Sequence, residues 1–206
     1  MKYKAVIADV DGTLMEPGEI PATVPSQALI KAVKKTQEKG VIFSVATARS
    51  LPWIKNIVDA LRLHSLLILD NGALIYDLGK KTYVWESYLS KQDAIKTLNI
   101  LKDDKTLRVF IVDDGKRLDD PKLISKWKIS KIIVLGVTPQ KAESLYQKFK
   151  LNPSVYVTKS VSGLTGRSES IHITNYSATK QIAVYKFAQI LGISPKDIIE
   201  IGRAHV

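Results

Sequence analysis

Three short apolar runs, separated by helix-forming stretches, constrain the fold of this chain more than any other feature. The runs AVIADV (5–10), VIFSVAT (41–47) and LLIL (66–69) have the length of strands and are bounded by turn residues. Between the first two lies SQALIKAVKKTQEKG, whose apolar residues recur at helical spacing. This alternation favours an α/β fold with a doubly wound parallel sheet, in which ligands bind at the carboxyl ends of the strands.

The rest of the chain predicts an insertion into this fold. The run ALIYDLGKKTYVWESY (73–88) indicates a hairpin rather than another crossover, and further helix and strand patterns follow it. IHIT (171–174), a helix from Ala178 to Leu191 and DIIEIG (197–202) then resume the order strand, helix, strand. We therefore expect a discontinuous core domain, residues 1–79 and 170–206, and an inserted α+β domain, residues 80–169.

Composition restricts where such a protein works and what it binds. The chain has no cysteine, which excludes disulfides and thiolate metal sites and favours a reducing compartment. The apolar run at residues 5–8 meets Asp9 too early to form a signal peptide or a membrane span, so we expect a cytoplasmic protein with no membrane partner. The formal net charge of +11 favours an anionic partner, such as a phosphorylated metabolite or nucleic acid.

Polar side chains stand at the strand ends where this fold binds ligands. They are Asp9 and Asp11 after the first strand, Thr47 after the second, Asn71 after the third, and Lys180 at the start of the last complete helix. Two carboxylates at positions i and i+2 can share a divalent cation. A carboxylate nucleophile beside Mg²⁺, with a lysine and a hydroxyl group to hold anionic oxygens, is typical of phosphoryl transfer through an acyl phosphate.

These motifs resemble those of the haloacid dehalogenase superfamily of aspartate-nucleophile phosphatases. DVDGTL lies at the first strand, SVATARS at the second, and a lysine precedes LGISPKDIIEIG. LDNGALIYD, followed by an inserted unit, is similar to the Cof-like branch with its type II cap. The resemblance covers nearly the whole chain. It implies a Rossmann-like core and a cap domain that closes over the site and selects the substrate.

The resemblance implies roles for the matching residues. Asp9 would be the nucleophile, and Asp11 would be the general acid and base. Asp9 and the main-chain carbonyl of Asp11 would bind Mg²⁺. Thr47 and the backbone amides around Gly12 would hold the transferring phosphoryl group, and Lys180 would neutralise its charge.

Two further residues, Arg49 and Asn71, would contact the substrate. The implied reaction is hydrolysis of a phosphate monoester through an aspartyl-phosphate. By analogy with the family, the substrate would be a small phosphorylated metabolite such as a sugar phosphate or phosphoglycolate. Nothing in the sequence predicts the oligomeric state.

The sequence also departs from the family pattern. Ala48 stands where the second motif usually has glycine, Gln181 follows the lysine where the branch commonly has glycine, and Arg203 stands where an aspartate of the magnesium site is expected. A coding sequence for residues 200–206, GAG ATC GGA AGA GCA CAC GTC, matches the start of a short-read sequencing adapter. We therefore expect that the natural continuation after Gly202 is missing and that the chain as given has little activity.

Three alternatives remain open from the sequence. A phosphomutase of the same superfamily would use the same aspartate pair but return the phosphoryl group to the substrate. A catalytically impaired fragment, or a non-catalytic binding protein, would keep the fold without turnover. The basic run KLISKWKISK (122–131) could bind nucleic acid, but a solvated face over a core tryptophan accounts for it better, so we do not expect a nucleic acid partner.

Overall fold

The structure is a computed structural model, and it describes residues 2–15, 24–161 and 168–202. The expectation about Arg203 therefore lies outside the described residues. The chain divides into two compact units: the first comprises Met1–Glu86 and Lys180–Val206, and the second comprises Ser87–Thr179. No helix in these described ranges is long and apolar enough to cross a membrane.

Eleven strands and five α-helices are assigned within the described residues. In chain order they are β1 (Ala5–Ala8), α1 (Gln27–Glu38), β2 (Ile42–Val45), α2 (Lys55–Ala60), β3 (Leu66–Leu69), β4 (Leu74–Asp77), β5 (Thr82–Glu86), α3 (Lys91–Leu101), β6 (Arg108–Asp113), β7 (Lys116–Leu118), β8 (Ile129–Val137), α4 (Pro139–Lys150), β9 (Val155–Val161), β10 (Glu169–Asn175), α5 (Lys180–Leu191) and β11 (Ile198–Ile201). Short 3-10 turns cover Leu51–Trp53, Asp70–Gly72, Pro121–Leu123 and Pro195–Asp197.

A parallel sheet with β1 at its centre organises the first unit. β1 pairs with β2 on one side and with β11 on the other, so that Ala5 lies opposite both Ile42 and Ile198. A single parallel bridge between Ala46 and Ile68 links the end of β2 to β3. From β1 the chain passes to β2 and then to β3 on one side, and at β11 it returns to the other side of β1. This is the doubly wound order. The predicted α/β class is confirmed.

The helix α5 packs on this sheet and sets the position of its own first residue. Its side chains Ala183, Val184 and Phe187 form one buried cluster with Ile7 and Ile68 of the sheet. Phe187 is fully buried, and burial of a side chain of this kind contributes about 1.5–3 kcal/mol. Since the helix is held by this apolar face, Lys180 at its start has a fixed place relative to β1.

The second unit has an antiparallel sheet in the order β7-β6-β8-β10-β9. Apolar residues of α3 and α4, such as Ala94, Leu145 and Phe149, form a buried cluster with Ile132 and Ile171 of this sheet. The unit therefore has a hydrophobic core of its own.

The interpretation of IHIT as a strand of the core domain is wrong. These residues belong to β10, which pairs antiparallel with β8 and β9 in the second unit. The predicted domain boundaries also differ from the structural ones, which lie after Glu86 and after Thr179. β5 pairs with β4 and so stays with the first unit. An apolar run of four residues does not tell a parallel strand from an antiparallel one, because the pairing partner lies far away in sequence.

Candidate active site

Asp9 lies directly after β1 and is held by three contacts. Its backbone N–H donates to the carbonyl of Ile201 at 2.8 Å. Its Oδ1 accepts from the backbone N–H of Val10 at 2.8 Å and from Nζ of Lys180 at 2.8 Å. The side chains of Asp9 and Lys180 are 23% and 31% exposed. The carboxylate is thus paired with a cation yet remains accessible to a small solute.

A tight turn follows Asp9. Val10 O accepts from the N–H groups of Thr13, Leu14 and Met15 at 3.3, 3.0 and 2.9 Å, and Gly12 N–H donates to Met15 O at 2.7 Å. Gly12 has φ 76°, a backbone conformation that favours glycine. Thr13 Oγ1 is buried and has no hydrogen-bond partner in the described part of the chain. This turn brings Asp11 back towards the end of β2.

Asp11 forms an ion pair with Arg49, a contact that the sequence did not predict. Nη2 of Arg49 donates to Oδ1 of Asp11 at 2.5 Å, and Nε donates to Oδ2 at 3.1 Å. Nη1 of Arg49 donates to the carbonyl of Trp53 at 3.4 Å. The two side chains meet through both carboxylate oxygens, which is the bidentate geometry that a guanidinium group favours.

Thr47 lies at the end of β2 and links three segments. Its N–H donates to Ile68 O at 3.0 Å, and its carbonyl accepts from the N–H of Asn71 at 3.0 Å. Its Oγ1 accepts from the N–H of Arg49 at 3.1 Å. The side chain is fully buried. Thr47 therefore joins the ends of β2 and β3 and orients the loop that carries Arg49.

The turn after β3 contains two polar residues in left-handed backbone conformations. Asp70 has φ 50° and Asn71 has φ 61°. Asn71 is 8% exposed, and its Nδ2 is buried without a hydrogen-bond partner among the described residues. A buried amide donor without an acceptor is costly and indicates a position where a ligand or a water oxygen can bind.

Asp70 holds the loop that carries Arg49 and Ser50, a role that the sequence did not predict. This residue is fully buried, and its Oδ1 accepts from Oγ of Ser50 at 2.5 Å. Its N–H donates to Arg49 O at 3.1 Å. Ser50 precedes a 3-10 turn, and its hydroxyl group makes no capping bond there. An acidic residue between a buried strand and Asn-Gly was the available signal.

Oxygen atoms in this region suit a magnesium ion in part. Oδ1 of Asp9 accepts hydrogen bonds from Val10 N–H and Lys180 Nζ, while Oδ2 accepts none within the described ranges. Mg²⁺ commonly binds through one or two carboxylates and keeps several waters, so Oδ2 of Asp9 and the carbonyl of Asp11 fit such an ion. The described residues contain no group of three acidic, histidine or cysteine side chains that could hold a metal. A methyl group added to Gly202 would lie 3.6 Å from Cβ of Asp9, so the end of β11 is adjacent to this position.

Comparison with known proteins identifies the family. A sequence profile described as haloacid dehalogenase-like hydrolase matches residues 6–123. The chain belongs to this family. Phosphoglycolate phosphatase 1 of Saccharolobus solfataricus is 24% identical over 97% of this chain and 74% of its own length. A haloacid dehalogenase-like hydrolase structure from B. subtilis has a TM-score of 0.78 at 16% identity, covering 97% of this chain and 82% of that one. A sugar phosphatase structure, BT4131, has a TM-score of 0.71 at 15% identity, covering 96% and 79%.

The chain is an enzyme of this hydrolase family, and its relatives include proteins named as phosphatases. The profile match includes β1, β2 and β3 together with the turns that carry Asp9, Thr47 and Asn71. The first unit brings the expected residues into two pairs, Asp9 with Lys180 and Asp11 with Arg49, beside the linked backbones of Thr47 and Asn71.

Proposed function

We propose that the protein is a magnesium-dependent phosphatase that hydrolyses small phosphate monoesters through an aspartyl-phosphate. The observation that supports this most is the contact of 2.8 Å between Lys180 and Asp9 at the carboxyl end of β1. An accessible carboxylate beside a fixed cation can attack a phosphorus atom while the cation balances the charge of the transferring group.

In the first step, an oxygen of Asp9 attacks the phosphorus atom of the monoester. A bond forms between Asp9 and phosphorus, and the bond from phosphorus to the ester oxygen breaks. The leaving oxygen takes a proton from Asp11 and departs as an alcohol. Lys180 stays beside Asp9 and stabilises the negative charge of the phosphoryl oxygens. The hydroxyl group of Thr47 and the amide of Asn71 supply further hydrogen bonds to those oxygens.

In the second step, water attacks the phosphorus atom of the aspartyl-phosphate. Asp11 accepts the proton of the water, the bond between phosphorus and Asp9 breaks, and inorganic phosphate leaves. Both aspartates return to their starting states, so the overall reaction consumes one ester and one water and yields one alcohol and one phosphate. When bound by Asp9 and the carbonyl of Asp11, Mg²⁺ would supply positive charge for the phosphoryl oxygens.

The substrate class is supported by charge and by relatives. A formal net charge of +11 favours anionic solutes, and relatives include a phosphoglycolate phosphatase and a sugar phosphatase. We propose a small sugar phosphate or phosphorylated acid as the substrate. The second unit, Ser87–Thr179, is proposed to act as the cap that selects it.

The test is a panel of phosphate monoesters assayed with and without Mg²⁺ on the protein with its natural continuation after Gly202 restored. We expect phosphate release that depends on Mg²⁺, and its loss by at least about 1,000-fold in Asp9→Asn, because this variant has no carboxylate nucleophile. Asp59→Asn serves as the control, since Asp59 lies in an exposed ion pair with Lys55 on α2.

Two measurements separate the alternatives. A phosphoenzyme trapped in acid from the parent, cleaved by hydroxylamine and missing in Asp9→Asn, is expected for an acyl phosphate. A phosphoryl group that returns to the substrate without release of phosphate indicates a mutase instead. Full activity in Asp9→Asn refutes the mechanism.

A further inference from the structure

The ion pair between Arg49 and Asp11 has a consequence for the reaction. We infer that Arg49 is a positioning residue that holds Asp11 where it can exchange a proton with the ester oxygen, rather than a residue that only binds substrate. This inference rests on the proposed phosphatase function. It concerns a contact between side chains of two separate loops in the first unit.

The guanidinium group is fixed more firmly than the carboxylate that it holds. The side chain of Arg49 is 15% exposed, whereas that of Asp11 is 43% exposed. Arg49 donates to both oxygens of Asp11 and also to Trp53 O. A guanidinium group that donates to both oxygens of a carboxylate restricts the rotamers that the carboxylate can adopt. The bidentate contact therefore selects one orientation of Asp11.

The backbone of Arg49 is anchored on both sides of the residue. Its N–H donates to Oγ1 of Thr47, and its carbonyl accepts from the N–H of Asp70. Asp70 is itself held by the hydroxyl group of Ser50. The ends of β2 and β3 thus fix the position of Arg49. Through its two hydrogen bonds, Arg49 in turn fixes the position of the Asp11 carboxylate.

The chemistry of Asp11 requires this contact to change during turnover. A proton on either oxygen of Asp11 replaces one of the two N–H donors, so Arg49 keeps the side chain through the other. Three of the five N–H donors of Arg49 bond to Asp11 and Trp53 in the described residues. The guanidinium group can therefore remain in place while the proton leaves and returns.

Loss of Arg49 should affect esters according to how much their leaving group needs a proton. An alkoxide must be protonated as it departs, whereas p-nitrophenolate leaves readily without a proton. General acid catalysis contributes about 10²–10⁴-fold, and misplacement by about 1 Å can cost about 100-fold. In Arg49→Met we expect kcat for an alkyl monoester to fall by about 100-fold and kcat for p-nitrophenyl phosphate to fall far less.

The experiment measures kcat and KM for glycerol 2-phosphate and p-nitrophenyl phosphate with Mg²⁺. The variants are Arg49→Met, Arg49→Lys, Asp11→Asn and the double variant of Arg49→Met with Asp11→Asn. Arg49→Lys should recover part of the lost selectivity, because an ammonium group can hold one oxygen. The double variant should lose no more than Asp11→Asn. Lys55→Met, which removes an exposed cation from α2, is the control.

Equal losses on both esters together with a raised KM would show that Arg49 binds the phosphate directly, and this would overturn the inference. Unchanged kinetics in Arg49→Met would overturn it as well. All these variants are made in the protein with its natural continuation after Gly202 restored, and a parent of that kind that hydrolyses neither ester refutes the proposed function. The NMR signal of the Arg49 Nε–H group tests the pairing without turnover: it should shift in Asp11→Asn, and an unchanged signal overturns the pairing.

Discussion

The hydrogen bond from Ser50 to Asp70 gives a prediction about how the loops around the candidate site are held. Ser50→Ala removes the hydroxyl donor at 2.5 Å from a fully buried carboxylate. A hydrogen bond to a charged group contributes about 1.5–3 kcal/mol. Asp70 makes further interactions, so we expect a loss of about 2 kcal/mol in the free energy of unfolding.

Urea unfolding measures this loss if the signal comes from the first unit alone. Of the three tryptophans, Trp127 packs in the second unit, while Trp85 packs against the core of the first. In a Trp127→Phe background, fluorescence therefore reports on the first unit. With an m-value of about 2 kcal/mol/M, a loss of about 2 kcal/mol lowers the urea midpoint by about 1 M.

A second serine in the same unit provides the control. Ser194 is exposed and accepts a hydrogen bond from the N–H of Lys196 at 3.3 Å. Ser194→Ala removes an exposed capping bond and should cost about 0.5–1 kcal/mol, less than Ser50→Ala. The reasoning is refuted if Ser50→Ala unfolds at the same urea concentration as the parent or as Ser194→Ala.

Three other predictions concern packing, a buried carboxylate and an ion pair. Phe187→Ala empties a fully buried position and should cost about 3–5 kcal/mol in the same urea assay. The carboxylate of Asp113 accepts hydrogen bonds at 2.9 Å from the backbone N–H groups of Ser125, Lys126 and Lys128. Asp113→Asn should therefore cost about 2 kcal/mol in the free energy of unfolding. Fluorescence of a protein whose only tryptophan is Trp127 measures this loss. Hydrogen bonds from Lys141 and Thr106 lower the pKa of Asp104 to about 2. In an NMR titration, Lys141→Met should raise this pKa towards 3.8. Since the pKa is lowered by folding, the ion pair stabilises the protein above about pH 3.8, and this contribution should decline as the pH falls towards 2.

Local sequence signals were sufficient for most of the first unit. β1, β2 and β3 are short apolar runs bounded by turns, and the hairpin of β4 and β5 has its turn at Leu78-Gly79-Lys80. The rule that ligand residues stand at strand ends selected Asp9, Thr47 and Asn71 as candidates, and the structure has them just after β1, β2 and β3. IHIT was assigned to the wrong unit because its pairing with β8 and β9 depends on residues far away in sequence.

Contacts between side chains of separate loops could not be predicted. Arg49 and Asp11 lie on different loops, and so do Ser50 and Asp70. Each pairing depends on the exact turn geometry at two strand ends and on the rotamers of both side chains. The catalytic roles of Asp9 and Asp11 stay predictions that the kinetic variants test.

The position of β1 has a consequence for how the protein is made. β1 is central to the parallel sheet, yet β11, one of its two neighbours, comes from residues 198–201. During synthesis, one edge of β1 therefore remains unpaired until β11, which follows the second unit in the chain, has been translated. Strand pairing within the second unit involves only its own strands, so that unit can fold first. We expect slow folding for the first unit and rapid folding for the second, because closure over such a long sequence separation is entropically costly.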